Sequence, residues 1–307
     1  MRTVMLFLSL LAATVVSGAS LDERPVAVPD YEAVPNIARY ASRDEYDAAR
    51  ADAKFRLTRV SYESDGLTVF AYVYAPAAKP ERALPVIVFN RGSYVWKEFA
   101  GEYLTTFHRL ASAGFVVVAP MYRGSGGAPG RDEMGGADLN DVLNTTALLR
   151  QLPYADATAV FMYGESRGAM MTYQAIREQY PMRAAAVYGG FTRIAELTAP
   201  GGRYAAAAGA IWPDYADRKA EIDRRRSAVD WPEQFSVPVL IMHGGADTDV
   251  APAHPLELAA KLQKLGKPYE LVIRSGANHV LTQWRHERDA HAIEWFRRHL
   301  GKGDQAR

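Results

Sequence analysis

Six short, unbroken apolar runs recur along the chain, and no other feature constrains its fold as strongly: 85–89 (PVIVF), 115–119 (FVVVA), 159–163 (AVFMY), 184–188 (AAAVY), 237–242 (VPVLIM) and 269–273 (YELVI). A strand buried on one face alternates apolar with polar residues, whereas a strand buried on both faces does not. Helix-length segments separate the runs, at 99–113, 137–151, 168–179, 255–265 and 282–300. This strand–helix alternation predicts an α/β fold, a mostly parallel, doubly wound sheet with helices on both faces. Ahead of it, 57–63 and 67–75 alternate around Ser64-Asp65-Gly66, which predicts an antiparallel hairpin at one edge. Further upstream, Ser42-Arg43-Asp44-Glu45 is a capping box that opens a short helix running to about Lys54. Pro25, Pro29 and Pro35 predict an extended entry before that helix.

The alternation is interrupted once. Residues 191–235 stand where a short helix would suffice, carry Trp212 and Trp231 and are dense in charge, so a helical lid is expected there. Within it, Arg224-Arg225-Arg226 beside Glu221 and Asp223 reads as a solvated face. Residues 1–19 are a separate object: Arg2, an apolar stretch over 4–16, then the small residues Ser17-Gly18-Ala19. That layout predicts a secretory signal peptide and a mature chain starting near Ser20, exported to the periplasm or beyond. The apolar stretch is shorter than the ~20 residues of a spanning helix, so no stable membrane anchor is expected. The organisation is then a signal peptide (1–19), an extension with a short helix (20–55) and one α/β domain (56–301) carrying the insert (191–235).

Cysteine is absent from all 307 residues, which excludes disulfides, thiolate metal sites and a thiol nucleophile. A net charge of +1 gives no reason to expect nucleic acid as a partner. The partner expected is a small-molecule or short-peptide substrate, with no cofactor and no metal.

Chemistry is concentrated at Gly164-Glu165-Ser166-Arg167-Gly168, which follows one apolar run and precedes a helical segment. In that setting G-x-S-x-G is a nucleophile elbow, a sharp turn that lifts the Ser166 hydroxyl clear of the sheet. Glycines are needed because strand and helix pass too closely there for a Cβ. A serine hydroxyl is a weak nucleophile until a base takes its proton. The base and its orienting acid should lie in loops after later strands, in the order Ser, acid, His. The run at 237–242 is followed by His243-Gly244-Gly245-Ala246-Asp247-Thr248-Asp249, and the run at 269–273 by a loop ending in His279. Asp247 is preferred as the acid because the flexible Gly244-Gly245 sets it just beyond the strand, while Asp249 lies closer to the next helix. His286, His291 and His299 fall in the last helix and read as surface residues; His108 and His254 miss the required position. His243 is placed to organise the acid loop. The oxyanion of the intermediate needs two backbone donors. They are assigned to Arg167 and to Ser93, with Tyr94 the next choice.

Taken together these residues resemble the catalytic domain of the prolyl oligopeptidase family of serine peptidases and its stand-alone α/β-hydrolase relatives. The resemblance runs over 61–300. It is carried also by 120–127 (PMYRGSGG), 135–142 (GGADLNDV), 226–229 (RSAV) and 243–250 (HGGADTDV). It implies Ser166 as nucleophile, Asp247 as acid and His279 as base. Arg91-Gly92-Ser93 stands where the family often has His-Gly-Gly, and Arg167 where it often has Tyr, which implies a different wall for the acyl pocket. The segment ahead of the hairpin is too short for the family's β-propeller. The implied substrate is a small peptide, an acylated amino acid or an ester. A carboxylesterase, a non-catalytic binding relative and, more weakly, a metal hydrolase are the competing readings.

Overall fold

The computed structural model describes residues 21–94 and 101–301. The expected signal peptide, 1–19, and the beginning of the helix expected from 99 lie outside the described residues. The strands are β1 (Glu23–Pro25), β2 (Phe55–Ser64), β3 (Leu67–Pro76), β4 (Leu84–Asn90), β5 (Val116–Pro120), β6 (Ala155–Glu165), β7 (Ala184–Tyr188), β8 (Val239–Gly244) and β9 (Tyr269–Arg274). They form one sheet in the order β1-β2-β3-β5-β4-β6-β7-β8-β9. β1, β2, β3 and β5 pair antiparallel; β5 through β9 run parallel.

All six apolar runs are strands of this sheet, and the two alternating segments form the hairpin β2–β3. Its turn places Asp65 (φ 52°) and Gly66 (φ 76°) in the left-handed region, the geometry that matches the twist of a tight hairpin. Two differences concern the edges. The extension contributes β1, whose three residues pair with Thr58–Val60 of β2, so the entry begins in the sheet and then turns through short 3-10 helices at Tyr31–Ala33 and Ile37–Arg39. β9, read as buried on both faces, has β8 alone beside it among the described residues and is half-buried, with Ile273 exposed.

The helices are α1 (Arg43–Ala51), α2 (Leu104–Ser112), α3 (Leu139–Leu143), α4 (Thr145–Leu149), α5 (Arg167–Arg177), α6 (Ile194–Thr198), α7 (Ala208–Ile211), α8 (Tyr215–Arg225), α9 (Ala253–Lys264) and α10 (Arg285–Arg298). α1 starts on the predicted capping box, with the Ser42 amide donating to Glu45 Oε2 (2.8 Å) and the Glu45 amide to Ser42 Oγ (3.4 Å). The single helix expected over 137–151 is broken at Asn144 into α3 and α4. Thr145 Oγ1 donates to Val142 O (2.6 Å) and Asn144 Nδ2 to Ser64 Oγ (3.0 Å), so polar side chains at the break bond elsewhere in place of continuing the helix. Successive residues of each central strand feed two cores: Val86 and Val88 pack with α3–α5, the insert and α9, while Ile87 and Phe89 pack with α1, α2 and α10.

The insert is helical, as expected, but its arginine run is not wholly solvated. Arg226 is buried and stacked 4.7 Å over Trp212, and its guanidinium donates to Met134 O (2.6 Å), Glu133 O (3.0 Å) and Ile222 O (3.1 Å). Carbonyls of a neighbouring loop replace water around it, which a charge pattern does not reveal.

Candidate active site

Ser166 stands between the end of β6 and the start of α5 with φ 51° and ψ −114°, a conformation rarely tolerated outside glycine. Two glycines make room for the turn. A Cβ on Gly164 would lie 2.4 Å from Gly168 O, and one on Gly168 only 1.8 Å from Asn90 O. The Ser166 amide donates to Tyr188 O (2.8 Å), tying the elbow to the end of β7.

The loops after β8 and β9 bring the acid and the imidazole to it. Ser166 Oγ lies 2.9 Å from His279 Nε2, and His279 Nδ1 lies 2.8 Å from Asp247 Oδ2. Asp247 Oδ1 accepts from the amides of Asp249 (2.8 Å) and Val250 (2.9 Å). His243, fully buried at the end of β8, sets Nε2 3.0 Å from Asp247 Oδ2 and 2.9 Å from Val250 O, so it holds both the acid and its loop. Burial alone would raise the pKa of Asp247. The hydrogen bonds from His243, His279 and the Val250 amide outweigh burial and leave it well below the ordinary carboxylate range. Gly189 gives the imidazole its space, since a Cβ there would sit 2.5 Å from His279 O and 3.2 Å from the ring.

Asp249 is differently employed. One carboxylate oxygen each of Asp247 and Asp249 and one ring nitrogen of His279 lie within 4.8 Å of one another. Asp249 nonetheless pairs outward, with Arg203 of the insert (2.8 Å) and Arg39 of the extension (3.5 Å). The neighbouring Tyr40 hydroxyl donates to Glu165 Oε1 (3.0 Å), beside the nucleophile. Glu165 also accepts from the Tyr188 hydroxyl (2.6 Å). Nearby, burial and the Glu165 carboxylate push Glu102 up to about 8. Sequence reasoning found none of Arg39, Tyr40 or Arg203. Their contacts join segments far apart in the chain and leave no local pattern.

The two expected oxyanion donors belong to adjacent loops. Ser93 is exposed, with φ 61°, in the turn after β4, and the Arg167 amide opens α5. The Arg167 side chain, which stands where the family often has Tyr, does not accompany its amide. It is fully buried and turned inward, where it donates to Asp132, Asp138 and Ser93 O. Two carboxylates in the 132–138 loop hold the guanidinium inside.

A model of the prolyl oligopeptidase family matches residues 102–303. Among curated proteins, the uncharacterized peptidase YtmA of Bacillus subtilis is 27% identical over 246 residues, covering 76% of this chain and 94% of its own. The human acylamino-acid-releasing enzyme is 25% identical over 256 residues, and the match covers 77% of this chain but only 34% of that enzyme. Among solved structures, an acylaminoacyl peptidase of Pyrococcus horikoshii superposes with a TM-score of 0.66 at 24% identity, over 80% of this chain and 42% of its own. A puromycin-hydrolyzing peptidase of Mycobacterium tuberculosis gives 0.70 at 22% identity, over 82% and 40%. These likenesses identify the α/β-hydrolase fold.

Proposed function

The chain belongs to the prolyl oligopeptidase family, and from that membership we propose a serine hydrolase that cleaves a small peptide, an acylated amino acid or an ester through an acyl-Ser166 intermediate. The observation that carries this reading is the continuous hydrogen-bonded line from Ser166 Oγ through both nitrogens of His279 to Asp247, with separations of 2.9 and 2.8 Å. His279 Nε2 takes the Ser166 proton as Oγ attacks the acyl carbonyl carbon, then delivers it to the departing amine or alcohol. Water repeats the cycle on the acyl-enzyme and restores the serine. Asp247, held ionised by His243 and its loop amides, keeps the Nδ1 proton in place and stabilises the imidazolium. The Arg167 and Ser93 amides receive the oxyanion.

An acyl-amino-acid or short-peptide substrate is supported by the names of the acylamino-acid-releasing and acylaminoacyl peptidase relatives. Export is supported by the charge and apolar pattern of residues 1–19. Ser166→Ala is expected to abolish labelling by a fluorophosphonate and to lower turnover by roughly 10⁴ or more, with circular dichroism unchanged. Activity is expected to survive a chelator. Near wild-type rates in the alanine variant would end the serine-hydrolase reading. A panel of p-nitrophenyl esters and acylaminoacyl anilides then decides the substrate class, and preference for simple esters would mark a carboxylesterase.

A further inference from the structure

We propose that the Arg167 side chain is a positioning residue that locks both oxyanion donors into one rigid unit; the proposal rests on the acyl-enzyme reading above. Its backbone amide is one donor. Its guanidinium, through Nη1, donates to Ser93 O (3.0 Å) and so holds the loop that bears the other. The same group is fixed from behind, with Nη1 and Nη2 donating to Asp132 Oδ2 (2.7 Å) and Oδ1 (2.6 Å), and Nη2 to Asp138 Oδ2 (2.7 Å). Its plane lies over Tyr122, 4.7 Å from the ring centroid.

The anchors are themselves held. Asp138 accepts from the amides of Gly135 and Gly136 (2.9 Å each) and of Glu133 (3.2 Å), and Asp132 from that of Met134 (2.9 Å). The Tyr94 hydroxyl reaches Asp132 O (3.1 Å) and the Gly92 amide reaches Tyr103 Oη (3.1 Å), so the whole 92–94 turn is pinned. Ser93 needs this support. At φ 61° it occupies a left-handed conformation that a serine keeps only when its surroundings hold it there. A cluster that served folding alone has no need to reach the carbonyl of the exposed Ser93.

Two variants test the proposal. Arg167→Lys keeps a cation facing Asp132 and Asp138, but one ammonium cannot span both and Ser93 O. Asp132→Asn keeps the shape and weakens the hold, and it decides the matter where the lysine variant does not fold. Expected in either folded variant is a fall in kcat of roughly tenfold to a hundredfold, up to the loss seen when one oxyanion donor is removed. KM should stay within about twofold, and a trifluoromethyl ketone that forms a tetrahedral adduct on serine should bind more weakly by the same factor as kcat falls. A folded variant with unchanged kcat and unchanged ketone affinity overturns the proposal. Activity retained in Ser166→Ala would instead remove the premise.

Discussion

Asp247 and Asp249 stand two positions apart and have different partners, the imidazole for one and two surface arginines for the other. Asp247→Asn is therefore expected to cost roughly 10⁴ in kcat, because the amide no longer fixes the Nδ1 tautomer or stabilises the imidazolium. Asp249→Asn loosens two partly exposed ion pairs, each worth little, and should change kcat less than about tenfold. Steady-state kinetics on one ester ranks the two, and the reverse order would reassign the acid. Asp247 was legible in the sequence because a glycine pair after a strand leaves few places for a reaching side chain. The inward turn of Arg167 was not, since the direction of a side chain depends on carboxylates about thirty residues upstream.

At the scale of elements, α10 shows how a helix remote from the chemistry secures it. Asp289, fully buried, accepts from the Tyr163 hydroxyl of β6 (3.0 Å), from Arg109 Nε of α2 (2.8 Å) and from Arg288 Nε (2.8 Å). Arg288 Nη1 donates in turn to Val280 O (2.8 Å), next to His279. Burial opposes the charge of Asp289, but Arg288 and Arg109 outweigh it and draw the pKa down to about 2. A depressed pKa contributes stability that is present above the unfolded value and lost as pH falls through about 2. Asp289→Ala, which takes the carboxylate from the buried Arg288 and the partly exposed Arg109, is expected to cost about 3–5 kcal/mol, read from the urea midpoint at neutral pH. A loss under about 1 kcal/mol would mean that the cluster contributes little. The strand runs and the capping box were legible because period and capping are local. The split of α3 from α4 and the half-exposure of β9 were not, because each depends on which element lies alongside.

Across the whole molecule, extension and insert meet beside the sheet's catalytic loops, where Arg39 and Arg203 both pair with Asp249 and Tyr40 reaches Glu165. Trp212 and Trp231 are buried, with Trp212 Nε1 donating to Glu133 O (2.6 Å) and Trp231 Nε1 to Arg224 O (3.0 Å). That part of the insert is core; the stretch 199–207, which bears Arg203, is the part that faces Asp249. We propose that this stretch gates substrate size. Shortening it should leave a short acyl ester hydrolysed at about the same rate and extend activity to larger acyl or peptidyl groups. A folded, shortened variant with the wild-type substrate profile would show that it gates nothing. The distances in sequence have a consequence for timing. A chain is made from its amino end, and earlier segments generally begin to fold first. Ser166 here waits for a base 113 positions further on, and Glu45 of α1 waits for Arg285, 240 positions away. On the acyl-enzyme reading, a nascent chain that already displays its elbow therefore stays chemically silent until residue 279 has been made and its loop has docked beside Ser166.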